Sequence, residues 1–583
     1  MTTTALPKKK YWTRRRIIVT LLVLLGVWWF CFRGVALKIS SETTKITKPR
    51  TADRKRVDYF QALVSLSEPK VPPSENGFRM IAEAVGRIPC ENINLNYWRQ
   101  VCQKLDIDPV APPTTAYYKK MRRLIEAANE ELGITKSLDD PEKIANRPEG
   151  MPEDAPQLWD ADRAAWDWIF PRFEQIRERP WTGDEDRFTQ VVELHIQDIS
   201  PVLDLLGKAV REEVYYIPYF IPEFEGENGT CSDILLPCLQ LQREFARDLN
   251  RRIMYSLGKG ELDKAIDDII TIFRLGQHLQ KENFAVIRLV GNYMQSGIGF
   301  PAAVHLMRDS RLTREQIERL ATELESLPAK APLLDMHLAH EYSMYDIISA
   351  LSEKKYAFNL FVGETVYGSQ NRKPLLDWLN YYGYDWNVVA RTAGKIYQRQ
   401  TDILNEPDPI KRRSMKDELL AEMTQIRQRH NKLASYWRMI FVSTRSKMMG
   451  DSIGKYFASS YFQYDLDSAV DEGEMAIDLL RLACALELYK ADEGRYPDKL
   501  DKLQGKYLAE VPGDPCTETK EPFRYCLEER DADESGQPRY GYFMYGLGRG
   551  GKDHGGKTHL KIPGAEELYA GETSAEHNLP IRK

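Results

Sequence analysis

Two histidines and a glutamate fall on one side of a predicted helix in the segment LLDMHLAHEYSMYD. His337, His340 and Glu341 stand at positions i, i+3 and i+4, which an α-helix brings onto one face. Imidazole and carboxylate groups are zinc ligands, so these three residues are a candidate zinc site. Their order, H-x-x-H-E, differs from the motifs of helical zinc proteases. The sequence therefore favours the simpler interpretation, a polar helix face that carries exposed histidines.

Two other patterns match catalytic motifs only in form. Gly546-x-Gly548-x-x-Gly551 has the spacing of the dinucleotide fingerprint, but the glycines that follow cannot begin the helix on which the pyrophosphate would sit. The D-x-D triplets at 160–162, 184–186 and 465–467 have the spacing of metal-dependent glycosyltransferases. The chain lacks the alternating strand and helix pattern of those enzymes, so we interpret these triplets as solvated turns and caps. The motifs favour a protein that is not an enzyme.

An apolar run near the N-terminus determines the predicted topology. Residues 17–32 carry no charge and lie between Arg16 and Arg33, after a basic segment without acids. With the four apolar residues after Arg33, the run approaches the ~20 residues that cross a bilayer. We therefore predict a transmembrane signal anchor at 17–37, with the bulk of the chain outside the cytoplasmic (inner) membrane. A cleaved signal peptide, with Gly34-Val35-Ala36 as its processing site, is the alternative.

Charge and cysteine content limit the partners and the compartment. The chain of 583 residues has a formal net charge of −5, and residues 1–16 contribute +6, so the remainder carries −5 − 6 = −11. An acidic remainder disfavours nucleic acid, which is bound through lysine and arginine. The eight cysteines include three couples that are close in sequence, Cys90–Cys102, Cys231–Cys238 and Cys516–Cys526. Export would permit disulfides, so each couple is a candidate pair.

Helical periodicity dominates the middle of the chain. Between residues 235 and 327, two apolar stripes at helical spacing are separated by Gly258-Lys259-Gly260, which predicts an αα-hairpin. Glycines in the next helix, predicted over 285–300, suggest close helix contact. The tetrapeptide Thr313-Arg314-Glu315-Gln316 has the form of a capping box. The fold class is therefore mainly α, with an irregular stack of helical hairpins.

The pattern changes after a helix predicted over 467–493. Gly494 and Pro497 end this helix, and aromatic strand-like runs follow at 523–527 and 540–545. This region resembles the globular part of the major pseudopilin of type II secretion systems. The resemblance covers about 90 of the 583 residues and rests on Ala485, Tyr489, Gly494, Arg495, Tyr496, Pro497, Leu500, Tyr507, Leu508, Pro512, Asp514, Pro515, Tyr545, Gly548 and Gly551.

The resemblance implies a long helix on a small antiparallel sheet and a glycine-rich loop that binds calcium. Asp553 would be the calcium ligand, although Gly546 and Gly550 occupy positions where the family has serine and aspartate. Calcium needs six to eight oxygen ligands, so no bound cofactor is the primary expectation. The whole layout also resembles a group of uncharacterised signal-anchored envelope proteins of planctomycete-type bacteria, and this resemblance implies no activity.

These observations define six predicted segments and a function. The segments are a basic cytoplasmic tail (1–16), the transmembrane anchor (17–37), a tether (38–73), an α-helical ectodomain (74–460), a pseudopilin-like α+β domain (461–562) and a flexible tail (563–583). The predicted function is that of a membrane-anchored extracytoplasmic scaffold or protein-interaction protein of the bacterial envelope, with secretion proteins among its partners. The alternative is an exported hydrolase or transferase whose site lies in the helical domain.

Overall fold

The computed structural model of the chain is mainly helical, which confirms that part of the predicted fold class. It describes residues 9–86, 95–110, 113–115, 117, 120–131, 173, 176–181, 183, 186–221, 223–224, 227–228, 230–231, 237–328, 333–353, 383–430, 441–463, 466–515, 517, 519–530, 539–547 and 578–579.

The described helices are, in chain order, α1 (Lys9–Phe32), α2 (Ser41–Thr44), α3 (Tyr59–Ser67), α4 (Gly77–Val85), α5 (Leu95–Leu105), α6 (Lys120–Glu131), α7 (Asp186–Ala209), α8 (Pro237–Lys259), α9 (Leu262–Gln280), α10 (Ala285–Tyr293), a π-helix (Met294–Gly299), α11 (Phe300–Met307), α12 (Arg314–Glu325), α13 (Leu333–Ser352), α14 (Trp386–Leu404), α15 (Pro409–His430), α16 (Val442–Gln463) and α17 (Leu466–Glu493). The strands are β1 (Glu223–Phe224), β2 (Glu227–Asn228), β3 (Arg524–Arg530), β4 (Arg539–Tyr545) and β5 (Asn578–Leu579). β1 pairs with β2, and β4 lies between β3 and β5; all of these pairs are antiparallel.

The chain folds into two compact units, and each is built from separate stretches of sequence. The first unit comprises residues 1–66, 221–234 and 333–464. The second unit comprises residues 67–220, 235–332 and 465–583. The units are therefore not successive segments of the chain.

Helices α14 and α16 form the centre of the first unit. They approach closely because α16 carries glycines where it meets α14: a Cβ at Gly450 would lie 2.6 Å from the Val389 carbonyl oxygen, and one at Gly454 would lie 3.0 Å from Ala393 Cα. Beside this contact, α15 adds Leu419, Met423 and Ile426 to a buried apolar cluster. The close contact thus depends on residues without side chains.

The predicted membrane-spanning helix is the part of the fold class that is wrong. No helix in the described part of the chain is long and apolar enough to cross a membrane. The sixteen uncharged residues 17–32 span only about 24 Å as a helix, less than the ~30 Å hydrocarbon core. The four residues after Arg33 do not extend it. α1 ends at Phe32, and Val35 pairs with the strand-like backbone around Asp385 through hydrogen bonds of 2.9 and 3.1 Å.

The residues that follow α1, predicted as a tether, include buried side chains. Thr43, Thr44 and Val57 are buried, and Tyr59 is 1% exposed. The Tyr59 hydroxyl donates a hydrogen bond to the Thr44 carbonyl oxygen at 2.7 Å. Lys45 forms an ion pair with Glu341 of α13. This stretch therefore belongs to the core of the first unit.

The predicted αα-hairpin is confirmed in the second unit by α8 and α9. Gly260 at the turn has a φ of +80°, a conformation that glycine adopts without strain. The predicted capping box is present at the start of α12: the Thr313 hydroxyl accepts from the Gln316 backbone N–H, and the Gln316 side-chain oxygen accepts from the Thr313 backbone N–H. The helix predicted to stop at Pro301 instead continues into α11. Pro301 lies in the first turn of α11, where a missing N–H is tolerated.

Helix α17 contributes core side chains to the second unit. Met475, Leu479, Leu480 and Leu482 are fully buried, and the helix packs against α10, α11, α12 and the π-helix. Gly494 ends α17 with a φ of +70°. Strands β3 and β4 then pair from Arg524–Tyr545 to Arg530–Arg539. Between Met475 and Leu488 this helix is buried on most of its circumference, because it has neighbours on several sides.

Candidate functional site

Helix α13 carries all three predicted zinc ligands, and its neighbours in the first unit determine their state. His337 is 1% exposed. Its Nε2 lies 3.0 Å from the Thr401 hydroxyl of α14, and its ring stacks on Tyr397 with centroids 5.2 Å apart. Burial lowers the pKa of His337 to about 4, and the charge of Lys45 adds to this effect. The imidazole is therefore neutral at pH 7 and held by α14.

His340 meets the same tyrosine from the next turn of the helix. The Tyr397 hydroxyl and His340 Nδ1 are 2.9 Å apart, and the ring also packs on Phe457, with centroids at 5.3 Å. Burial lowers the pKa of His340 to about 4, with a smaller contribution from His337. Both histidines thus use ring nitrogens in hydrogen bonds, and Tyr397 lies between them. The expectation of exposed histidines is wrong for His337.

Two buried acids follow on the same helix. Glu341 is 3% exposed, and its Oε2 lies 3.2 Å from Lys45 Nζ. Burial raises the pKa of Glu341, while Lys45 opposes the rise. Asp346 accepts a hydrogen bond of 2.8 Å from the Cys231 backbone N–H. Burial raises the pKa of Asp346 to about 6, although the bonds from Cys231 lower it in part.

The geometry around these side chains is that of hydrogen-bonded pairs. Among the residues that the structure describes, no group of three or more histidines, cysteines, aspartates or glutamates is arranged to hold a metal ion. The zinc site at His337, His340 and Glu341 stays a prediction without a further ligand to complete it. Asp553, the predicted calcium ligand, lies outside the described residues.

A second buried cluster surrounds Asp248 in the second unit. Its carboxylate accepts hydrogen bonds from the Tyr117 hydroxyl at 2.8 Å and from Arg251 Nη1 at 2.8 Å, and it also pairs with Lys120. His195 Nε2 lies 3.5 Å from Asp248 Oδ1, the oxygen that Arg251 also contacts. Burial alone would raise the pKa of Asp248, but Lys120 and His195 overcome it and hold that pKa well below its usual range.

Sequence reasoning missed the Asp248 cluster because its members come from distant helices. Asp248 is 131 positions from Tyr117 and 128 from Lys120, and no spacing rule connects them. The signal available was weak: Asp248 lies on the apolar face of α8, between the buried residues Phe245 and Leu249. An acid at such a position requires a partner from another element.

The C-terminal motif residues meet one another around α17 and the sheet. The Tyr496 ring packs edge-on against Tyr542 at 4.9 Å, and the Tyr525 hydroxyl donates to the Pro497 carbonyl oxygen at 2.7 Å. Asp514 is 1% exposed, and its Oδ2 accepts a hydrogen bond of 2.6 Å from the Leu547 backbone N–H. Asp514 thereby holds the start of the glycine-rich segment, whose remaining glycines lie beyond the described residues.

The structure describes only some of the cysteines in the three predicted couples. Cys231 is a buried free thiol, and its predicted pairing with Cys238, which belongs to the second unit, stays a prediction. Cys90 and Cys516 lie outside the described residues. Burial raises the pKa of the Cys231 thiol well above its usual range, so this cysteine is not activated as a nucleophile.

Comparison of the chain with protein-family models, with curated proteins and with solved structures finds no match.

Proposed function

We propose that this protein is a non-enzymatic scaffold or protein-interaction protein of the bacterial envelope, with its bulk outside the cytoplasm and secretion proteins among its partners. The observation that carries the proposal is the surface of α1. Nine large apolar side chains between Ile17 and Val27 are each 52–62% exposed. They are Ile17, Ile18, Val19, Leu21, Leu22, Val23, Leu24, Leu25 and Val27.

An apolar surface of this kind requires a partner. Helices that are apolar all round are found buried, because water around so many aliphatic groups is unfavourable. Large contiguous apolar patches on soluble proteins mark interaction sites. The other exposed large apolar residues of the described chain, such as Val110, Leu420 and Leu527, are scattered along it. The proposed partner is a protein whose apolar helices surround α1.

The internal fold of both units also supports a binding role. The polar atoms of His337, His340 and Asp248 contact side chains of the protein itself. The pseudopilin-like region supports the secretion link through its resemblance alone. The proposed function therefore places the interaction on α1 and leaves the folded units to present it.

Affinity purification of the tagged full-length chain from native membranes tests the proposal. We would compare the wild type with the double variant Leu21→Glu/Leu24→Glu, which adds two negative charges to α1, and with the control Leu420→Glu, which adds one at an exposed position of α15. Truncation before α17 is unsuitable, because it removes fully buried core residues such as Leu479.

The expected result is a specific partner that the control retains and the double variant loses. The purified partner should then bind the purified wild type at least ~10-fold more tightly than the double variant, since the lost contacts lie at the centre of the interface. Equal recovery with all three proteins would refute the proposal. Binding of α1 to protein-free lipid vesicles, with no protein partner recovered, would also refute it.

The alternative, an exported hydrolase or transferase, has one observation in its favour. His195 lies beside the Asp248 carboxylate, and a carboxylate that orients an imidazole is the arrangement of a general base. Burial lowers the pKa of His195, so the ring is neutral at pH 7, as a base must be. Ester or phosphoester hydrolysis that disappears in His195→Gln would support this function, and unchanged hydrolysis would exclude this site.

A further inference from the structure

Three helices of the first unit bring their ends together at one end of that unit. His337 of α13 contacts Thr401 of α14. His340, one turn later on α13, contacts Tyr397, one turn earlier on α14. These two helices therefore run antiparallel, and the end of α13 lies beside the start of α14. The glycine contacts of α16 advance along α14 in the same direction as α16 itself, so the starts of α14 and α16 also lie together.

Helix α1 leaves the first unit at this same end. Arg445, near the start of α16, is 1% exposed and donates from Nη2 to the carbonyl oxygens of Cys31 at 3.3 Å and Gly383 at 2.8 Å. The chain after α1 then follows the first turn of α14, where Asn387 Oδ1 accepts from the Lys38 backbone N–H at 2.7 Å. The C-terminal end of α1 is thus fixed beside the starts of α14 and α16.

A short turn at residues 50–57 lies at this end as well. Arg56 Nε is 3.8 Å from Glu353 Oε2, just beyond α13. The Thr51 N–H donates to the Arg56 carbonyl oxygen at 3.1 Å, and the Arg54 N–H donates to the Thr51 carbonyl oxygen at 2.8 Å. Arg54 has a φ of +60°, a conformation that a residue with a side chain keeps only where its surroundings impose it. Val57 is buried and anchors the turn.

This end of the first unit presents a group of exposed cations, which we call the basic surface. In the part of the chain that the structure describes, none of its members forms an ion pair. The acids beside them are used within the fold: Glu42 pairs with Arg391, and Asp53 Oδ1 accepts from the Thr51 hydroxyl and the Lys55 N–H. The members of the basic surface are Lys38, Lys48, Arg50, Arg54 and Lys55.

The charge of the basic surface is opposite to that of the chain around it. Residues after 16 carry a net charge of −11, as the charge count above gives. A large polyanion would meet the repulsion of the whole chain, whereas a short acidic segment meets mainly the charges within about 10 Å of it. Opposite charges at the border of an apolar contact accelerate association and fix its orientation.

We propose that the basic surface binds a carboxylate-rich segment of the protein that receives α1. A partner that surrounds α1 reaches the end of the first unit from which α1 projects, and its border there faces the five cations. The inference rests on the proposed function, and it adds the chemistry of the partner: an apolar site for α1 with an acidic border.

A decapeptide of glutamate with a fluorescent label is the probe, and a Gly-Ser decapeptide with the same label is the neutral match. Ten extended residues span about 33 Å, enough to meet several of the cations at once. Fluorescence anisotropy with the purified full-length chain at ~20 mM salt gives both affinities. We expect the acidic peptide to bind at least ~10-fold more tightly than the neutral one. Its binding should be lost at ~0.5 M salt, because exposed charges are then screened within a few ångströms.

Variants locate the site. Arg54→Glu/Lys55→Glu replaces two of the five cations by anions and should weaken binding of the acidic peptide at least ~10-fold, since one exposed ion pair changes an equilibrium up to about 5-fold. Arg495→Glu/Lys499→Glu makes the same charge change at exposed positions of the second unit and should leave binding unchanged. Arg54→Gln/Lys55→Gln should give a smaller loss, and it serves as the second variant if the charge reversal does not fold.

The outcomes separate this inference from the proposed function. Leu21→Gln/Leu24→Gln should lose the protein partner and keep the acidic peptide. A partner captured through α1, together with equal affinity for the two peptides or unchanged binding to folded Arg54→Glu/Lys55→Glu, would overturn the basic surface alone. Binding to phosphatidylglycerol vesicles without binding of the acidic peptide would also overturn it. An acidic peptide that binds as expected, while no captured protein depends on α1, would refute the proposed function instead.

Discussion

Protonation of His337 should destabilise the first unit in mild acid, and the structure gives the magnitude. The imidazole is buried beside Tyr397 and Thr401, and burial lowers its pKa from 6.5 to about 4. The difference of about 2.5 pH units corresponds to about 3 kcal/mol, at 1.36 kcal/mol per unit. Because the folded-state pKa is the lower one, this stability is present above pH 6.5 and is lost as the pH falls through 4.

His337→Gln tests this reasoning. Glutamine can still reach the Thr401 hydroxyl but does not titrate, so the variant should lose stability at pH 7 and much less on acidification. The gap in unfolding free energy between wild type and variant should close by about 2 kcal/mol between pH 6.5 and pH 5, since 1.5 units at 1.36 kcal/mol per unit is about 2 kcal/mol. Thr401→Val is the matched control, because it removes the same hydrogen bond without removing a titrating group.

The assay must report on the first unit alone. Hydrogen–deuterium exchange of peptides from α13, measured by mass spectrometry over a urea series at each pH and corrected for intrinsic exchange, gives the opening free energy of this helix. The Thr401→Val gap should stay constant from pH 7 to pH 5. A constant gap for His337→Gln as well would mean that the histidine is not held neutral, and would refute the argument.

Three further predictions concern other positions. Asp346→Asn should gain up to about 3 kcal/mol of stability relative to wild type as the pH rises from 4 to 7, because burial raises the folded-state pKa of Asp346 from 3.8 to about 6 and its ionisation then destabilises the folded state. Urea unfolding of both proteins at each pH measures this difference in stability, and a difference that does not change with pH would contradict the prediction. Gly258→Ala should destabilise the fold by about 1–3 kcal/mol, because a Cβ at this position would lie 1.7 Å from the Trp181 carbonyl oxygen. Gly26→Ala is the control, because a Cβ there meets nothing within 4 Å. Equal melting temperatures of the two variants would show that the α8 backbone shifts without loss of stability. Thr313→Ala removes the capping-box acceptor of α12 and should cost about 1 kcal/mol, with Thr313→Ser retaining most of the stability in the same thermal melt.

Local patterns predicted the elements whose causes are local. The turn at Gly260 and the capping box at Thr313 both depend on residues within a few positions of each other, and the structure contains both. Helix α17 was also predicted, because Gly494 and Pro497 end it. Such features depend on the conformational preferences of residues that are close together in the sequence.

The errors arose where distant residues decide the outcome. The apolar letters after Arg33 suggested a longer helix, but Val35 bonds to the backbone beside Asp385, and the Lys38 N–H donates to Asn387, 349 positions away. Pro301 looked like a helix stop and instead begins α11. At the candidate site, spacing placed His337 and His340 on one helix face correctly, but Tyr397 and Thr401, which that face meets, lie on another helix.

The composition of the first unit from residues 1–66, 221–234 and 333–464 has a consequence for synthesis. Residues 1–66 leave the ribosome long before residue 333, since 333 − 66 = 267 positions separate the end of one part from the start of the other. At about 5–20 residues per second, the delay is roughly 15 to 50 s. During that time Tyr59 and Lys45 have no α13 to pack against, and the apolar α1 is also exposed. We therefore expect the nascent chain to be bound by chaperones that hold apolar segments until translation supplies the remaining helices.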